Sequence, residues 1–318
     1  MSAPALPRFE DVLAAAARIA PHAHVTPLLR SRTLDELTGA QLFFKCENLQ
    51  RVGAFKFRGA CNAVWSLSDA EAAHGVVTHS SGNHGAALAL AARTRGIATH
   101  VVVPAGAVPA KVAAIRAYGA TLHECAPTMA AREAMAAQVQ ADTGARLVHP
   151  FTDPAVIAGQ GTAALEMLAQ SGGLDLLLTP VGGGGLIGGS AIAVAGRGGG
   201  TRVIGAEPAG ASDAHDSLAR GERITEHPAD TICDGLRGTI GEINFALLRS
   251  YGVEVLTVED ADTLAAMRLL WQRLKLLVEP SSAIVLAALL RHRERFAGQR
   301  VGLLLSGGNV DLDALLPA

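Results

Sequence analysis

"LLLTPVGGGGLIGGSAIAVAG", Leu176 to Gly196, is the longest stretch without a charged side chain, and its reading decides the fold. About 20 consecutive apolar residues make a helix long enough to cross a bilayer. Here Pro180 and seven glycines interrupt the run, four of them consecutive at Gly182 to Gly185. Four adjacent glycines lose so much chain entropy in a helix that the run reads instead as a buried strand, a glycine turn and a helix.

Outward from it, the same unit recurs. Short apolar runs alternate with longer segments, mostly Ala-rich: GVVTHS with AALALAARTRG, ATHVVVP with AKVAAIRAYG, ATLHECA with AAREAMAAQVQADTG, and ARLVHP with VIAGQGTAALEMLAQSG. TRVIGAEP follows the glycine-rich helix, and RVGLLLSGGN reads as a last strand entering a glycine turn. Apolar strands between helices predict an α/β fold with parallel sheets covered on both faces. Residues 261–291 read as mostly helical, with a break at Glu279-Pro280. At 318 residues, 49% hydrophobic and 18% charged, the chain exceeds one ordinary domain, and two lobes are expected.

A net charge of -2, from 27 basic and 29 acidic residues with no basic run, gives no footprint for nucleic acid or an anionic membrane. A small solute is the expected partner. Cys46, Cys61, Cys125 and Cys233 lie far apart without a CxxC, so neither zinc nor a disulfide framework is indicated. The N-terminal MSAPALPRFEDV lacks a basic segment followed by an apolar one, which predicts a cytoplasmic protein.

In parallel sheets, ligands bind beyond the carboxyl ends of the strands. Four loops there carry chemistry. "GAFKFRGA", Gly53 to Ala60, sets the amine of Lys56 between Phe55 and Phe57, and apolar surroundings disfavour its charged form. Gly182 to Gly185 present backbone N–H groups to an anion at a helix start. "THSSGNHG", Thr78 to Gly85, offers hydroxyls and N–H groups suited to a carboxylate, or an ordinary helix cap. "LSGGN" adds the hydroxyl of Ser306. Gly183, Gly185 and Gly188 also spell the dinucleotide G-x-G-x-x-G, with Glu207 placed for a ribose, so an NAD-binding oxidoreductase stands as an alternative. That alternative leaves the other three loops without a role. An amine in apolar surroundings, a phosphate cup, a carboxylate site and a hydroxyl together match pyridoxal phosphate chemistry.

The stretches KCENLQRVGAFKFRGA, VVTHSSGNHGAALA, VVVPAGAVPAKVAAIRAYGA, VHPFTDPAVIAGQGT, VGGGGLIGG, GAEPAGASDA, LLVEPSSA and LSGGNVDL run in the order found in one family. The chain resembles the fold-type II pyridoxal-phosphate enzymes, in the serine/threonine dehydratase and serine racemase family. The resemblance implies a tryptophan synthase β-like fold, with a large lobe of residues 1–68 and 153–318 and a small lobe of residues 69–152. It makes Lys56 the Schiff-base lysine and proton carrier, with Phe55 beside the ring. Asn83 would meet the phenolic oxygen, Gly182, Gly183, Gly184, Gly185 and Leu186 the phosphate, and Ser306 the pyridine nitrogen. Substrate would sit on Ser80, Ser81, Gly82 and His84, with Arg132 as a pocket arginine able to pair with a dicarboxylate. Glu207, Ala211 and Asp213 match the divalent-cation site of the racemase-like branch, whose oxygen donors suit Mg²⁺ or Ca²⁺.

The implied activity is an ammonia-lyase on L-serine or L-threonine, working on a small amino acid as a homodimer. Serine racemase and threo-3-hydroxyaspartate dehydratase are the alternatives. Ser81 bears on the choice, because racemase-like relatives carry serine there, where a second proton donor facing Lys56 permits inversion at Cα. Ala54 and Ala86 depart from the family by replacing polar residues near the pocket.

Overall fold

The computed structural model describes residues 6–311, so the first five residues of the N-terminal stretch and the last seven of the chain lie outside it. Its strands are β1 Leu28–Leu29, β2 Gln41–Cys46, β3 Val76–Thr78, β4 Thr99–Pro104, β5 Thr121–Cys125, β6 Arg146–Leu147, β7 Leu176–Pro180, β8 Arg202–Pro208, β9 Glu254–Val258 and β10 Arg300–Leu305. Its α-helices are α1 Phe9–Ile19, α2 Arg32–Thr38, α3 Lys56–Trp65, α4 Asp69–Ala72, α5 Asn83–Arg95, α6 Pro109–Ala117, α7 Met129–Thr143, α8 Pro154–Ser171, α9 Gly185–Arg197, α10 Asp213–Arg220, α11 Glu242–Ser250, α12 Asp260–Leu274 and α13 Pro280–Arg291.

The strands form two sheets, β1-β2-β10-β7-β8-β9 and β5-β4-β3-β6. Every pairing is parallel except β1 with β2. The uncharged run that opened the sequence is β7, a glycine turn and α9. Among the described residues no helix is long and apolar enough to cross a membrane. All five residues of β7 are buried, as a central parallel strand covered on both faces requires. One apolar cluster fills the side covered by α12 and α13, and a second fills the side covered by α1, α8, α9 and α11.

Register decides where the loops open. Leu305 pairs with Cys46, Leu303 with Leu178, and Pro180 with Ala206, so β2, β10, β7 and β8 end almost level. The loops after them therefore converge at one edge. The C-terminal helical stretch breaks earlier than Pro280: Lys275 takes a left-handed φ of 58° and ends α12, while Pro280 is the first residue of α13.

Arg58, two residues past Lys56, is a buried anchor. Its Nε and Nη2 each lie 2.7 Å from the Glu47 carboxylate, and Nη1 lies 3.0 Å from Glu166. Lys45 completes the cluster through Glu166, the Thr26 carbonyl and Gln170. Burial alone would raise the Glu47 pKa, but the charge and hydrogen bonds of Arg58 hold it below the ordinary value. Removing one member of such a cluster costs about 3–5 kcal/mol by stranding a buried charge. The cluster thus ties the start of α3, which carries Lys56, to β2 and α8.

Candidate active site

Lys56 reaches its place through two tight turns after β2, with Val52 and Gly53 both at positive φ. The final turn of the chain fastens this loop. The Phe55 N–H donates to the Ser306 carbonyl at 2.9 Å, and the Gly308 N–H to the Gly53 carbonyl at 2.9 Å. Lys56 and Ser306 are 250 positions apart in sequence but lie on neighbouring loops.

The Lys56 side chain is half-buried, and Nζ donates to the Pro150 carbonyl at 2.9 Å. Burial lowers its pKa to about 8 against an opposing pull from Glu279. The Phe55 ring centre lies 5.2 Å from Nζ and packs on Leu186 and Leu304. Phe57 does not flank the amine: it is fully buried, with the Arg51 guanidinium 4.9 Å from its ring centre. Successive side chains on a helix diverge, and Phe57 lies inside the first turn of α3, so only Phe55 stays beside Lys56.

The glycine turn has room for backbone only. A Cβ on Gly183 would stand 2.3 Å from the Phe151 ring, and Gly184 takes a left-handed φ of 86°. No side chain caps α9. Among the described residues, the N–H groups of Gly182, Gly183 and Gly184 have no acceptor. Ser306 is buried, and its hydroxyl makes no hydrogen bond among the described residues. Free amides at a positive helix end, a half-buried amine and a free hydroxyl fit the phosphate, aldehyde and ring nitrogen of pyridoxal phosphate.

Asn83 begins α5 and is held from both ends. Its Nδ2 lies 3.3 Å from each carboxylate oxygen of Glu279, and its Oδ1 accepts from Asn309 Nδ2 at 2.9 Å. Burial, followed by the nearby charge of Asp234, lifts Glu279 to about 7. In the turn before α5, Ser80 Oγ accepts from the Gly82 N–H at 3.4 Å. The Ser81 hydroxyl is free among the described residues, and a Cβ on Gly82 would enter open space. His84 is buried, with Nε2 3.3 Å from the Val148 carbonyl; burial and then Lys56 hold it well below its ordinary pKa, as a neutral ring.

The loop after β6 supplies groups that the sequence does not single out. His149 Nδ1 accepts from the Phe151 and Thr152 N–H groups at 3.3 and 3.1 Å, which leaves its proton on Nε2. Burial, with His79 and Lys56 nearby, drops its pKa to about 3. Its ring meets His79 edge-on at 5.1 Å. Arg132 of α7 is near enough to His79 to depress that histidine further, though burial is the larger cause. The Arg132 guanidinium has no ion pair or hydrogen bond among the described residues, and its Nε is buried.

At the end of β8, Glu207 accepts from the Ala214 and His215 N–H groups at 3.1 and 2.9 Å. Each oxygen thus takes one N–H from the start of α10. Burial, with Asp213 adding repulsion, raises Glu207 to about 8, and burial raises Asp213 as well. Ala211 is buried in the turn between them. Among the described residues no group of three His, Cys, Asp or Glu side chains is arranged for a metal. The expected set has only two carboxylates and a carbonyl, a donor set that still fits a hard cation.

The useful clues in sequence were LLVEPSSA and VHPFTDP, whose Glu279, His149 and Phe151 prove to line the loops. Asn244 of α11 had no such signal. Its Nδ2 donates to the Phe151 carbonyl at 2.7 Å and the Gly183 carbonyl at 2.6 Å.

The geometry agrees with comparisons to known proteins. The model of the family described as "Pyridoxal-phosphate dependent enzyme" matches residues 19–307. The chain is 49% identical over 310 residues to a beta-hydroxyaspartate dehydratase of Paracoccus denitrificans, covering 98% of each chain. It is 44% identical to a serine racemase of Dictyostelium discoideum, covering 96% of each. The solved structure of maize serine racemase superimposes with a TM-score of 0.95 at 41% identity, covering 98% of this chain and 96% of that one. From the glycine turn, the Lys56 loop and these matches together, the chain belongs to the pyridoxal-phosphate dependent enzymes, with the type II fold.

Proposed function

We propose that this chain is an ammonia-lyase for a β-hydroxy amino acid with a second carboxylate, of the 3-hydroxyaspartate type. The observation that carries the reading is the Arg132 guanidinium, with no partner among the described residues and its Nε buried, near the neutral His79. A substrate carboxylate would give this half-buried guanidinium the charge-assisted partner it lacks among the described residues. Serine and threonine, the first expectation, have no second carboxylate to offer it. The Paracoccus relative's name supports the dicarboxylate.

Bound pyridoxal phosphate supplies an electron sink for the Cα–H bond. Lys56 takes the Cα proton, and its lowered pKa keeps a useful neutral fraction near neutral pH. Gly182 to Gly185 and Leu186 hold the phosphate, Ser306 the ring nitrogen, and Asn83 the phenolic oxygen. Phe55 bounds the ring. Ser80, Ser81, Gly82 and His84 form the wall that receives the α-carboxylate, and Arg132 takes the distal one. The C–H and β C–O bonds break, the hydroxyl leaves as water, and hydrolysis then releases a 2-oxo dicarboxylate and ammonia. Glu207, the Ala211 carbonyl and Asp213 would hold Mg²⁺ or Ca²⁺, which neutralises two buried carboxylates.

Racemisation of serine is the second reading, favoured by the free Ser81 hydroxyl. Purified protein assayed with both diastereomers of 3-hydroxyaspartate, L-serine and L-threonine separates the two. Faster 2-oxo acid release from a hydroxyaspartate than from serine is expected. Preference for serine, with D-serine formed and inversion lost in Ser81→Ala, would establish the racemase instead.

A further inference from the structure

We infer that Asn244 is a positioning residue that aims the phosphate cup and fixes the tautomer of His149. The inference rests on the reading that the glycine turn holds the cofactor phosphate. Asn244 is wholly buried on the first turn of α11, outside the glycine turn. Its single Nδ2 group bridges two carbonyls from segments far apart in sequence, Gly183 at 2.6 Å and Phe151 at 2.7 Å. Its Oδ1 is buried with no partner among the described residues, so the amide is held by its donor side alone.

The consequence follows from peptide geometry. In a trans peptide the C=O of one residue and the N–H of the next point in opposite directions across one plane. Asn244, helped by the Gly241 N–H at 3.1 Å, pins the Gly183 carbonyl and thereby turns the Gly184 N–H the other way. That N–H is one of the amides left without an acceptor among the described residues, and Gly184, which has no Cβ and sits at a φ of 86°, would otherwise leave the plane free to turn. Across the bridge, the pinned Phe151 carbonyl turns the Thr152 N–H toward His149 Nδ1, at 3.1 Å. One side-chain amide thus orients a donor for the phosphate and keeps the His149 proton on Nε2. The same bridge places the Phe151 ring where only a glycine fits at 183.

The test compares pyridoxal phosphate with pyridoxal, which keeps the aldehyde and lacks the phosphate. Full-length protein stripped of cofactor is titrated with each compound, following the visible imine band, and thermal melting is recorded in parallel. Asn244→Ala removes both donors. Asn244→Asp keeps the shape but sets an acceptor against two carbonyls. The parent should bind pyridoxal phosphate more tightly than pyridoxal, and each variant should shrink that preference by about tenfold, as expected for losing one well-made hydrogen bond. Affinity for pyridoxal should stay within about twofold. Asn244→Asp should regain preference as pH falls, because a protonated carboxyl donates again. A parent with no preference would overturn the phosphate-cup reading, and the inference with it. A preference unchanged in both variants, or equal loss of both affinities in step with thermal stability, would overturn the role of Asn244 alone.

Discussion

Replacing Lys56 with methionine should abolish turnover and at the same time stabilise the cofactor-free protein. Methionine is unbranched and matches most of the length of the lysine stem, so packing changes little. The folded state lowers the Lys56 pKa from 10.5 to about 8, chiefly through burial, and at 1.36 kcal/mol per pH unit this amounts to about 3 kcal/mol. Against it stands the hydrogen bond to the Pro150 carbonyl, whose loss costs about 1 kcal/mol. The net gain at pH 7 is therefore about 2 kcal/mol. For a chain of 318 residues, 1 kcal/mol moves the melting temperature by about 1.5 °C, so a rise of about 3 °C is expected. The pH dependence carries the sign. Between pH 8 and 10.5 the unfolded chain binds a proton at Lys56 that the folded chain does not, so the parent gains stability as pH rises through that window. Urea unfolding of both proteins, stripped of cofactor, should show the advantage of Lys56→Met in full below pH 8 and lost by about pH 10.5. A variant less stable than the parent at pH 7, or an advantage constant across the window, would refute the argument that burial of the amine sets its proton affinity.

Arg132→Leu should lower kcat/KM for 3-hydroxyaspartate by about a hundredfold, the worth of one charge-assisted carboxylate contact, while changing that for L-serine by less than about threefold. Steady-state assays of both substrates check this; equal losses on both would remove Arg132 from distal carboxylate binding. Adding Mg²⁺ or Ca²⁺ at about a hundred times its Kd to chelator-treated protein should stabilise it by about 2.7 kcal/mol, near 4 °C in melting temperature. Asp213→Asn should erase that shift, and a parent that melts alike with chelator and with cation would remove the proposed cation site.

The fold was legible because each decisive element had a local signal. Gly182 to Gly185 broke an apolar run that would otherwise span a membrane, and the alternation of GVVTHS or ATHVVVP with Ala-rich segments could only be covered parallel sheet. β9 escaped because EVLTV mixes polar and apolar residues after a turn, without the apolar continuity of β7 or β10. Lys56, Ser306 and the SSGN turn were visible as loops after strands. Glu279, Asn309 and His149 lay inside quoted stretches without standing out, and Asn244 lay outside them, because each is one polar residue whose meaning lies in a distant partner. Asn83 meets Glu279 across 196 positions, and Asn244 meets Gly183 across 61. Local propensity has no access to such pairs. Phe57 shows the converse error, since adjacency in sequence to Lys56 says nothing about which side of α3 a ring occupies.

The two sheets contribute different halves of the chemistry, and this constrains how the site works. Loops of the larger sheet carry Lys56, the glycine turn and Ser306; the segment bearing the smaller sheet carries the Ser80 to Asn83 turn, Arg132 and His149. Between these segments run polar contacts: Lys56 to the Pro150 carbonyl, Asn83 to Glu279 and Asn309, and Lys111 to Asp234. Each is half-exposed or neutral, and such contacts contribute about 1 kcal/mol or less. They are a minor part of what joins the halves, because α3 and α5 also share one apolar cluster that includes Phe57, Val64, Leu88 and Ala92. On the proposed reading both carboxylate sites lie on the segment of the smaller sheet, so a dicarboxylate gains a second contact there, whereas a monocarboxylate held only on the Ser80 to Asn83 turn has no grip on Arg132. Selectivity for the longer substrate then rests on the guanidinium, while Lys56, on the side of the larger sheet, acts on a Cα that both kinds of substrate share.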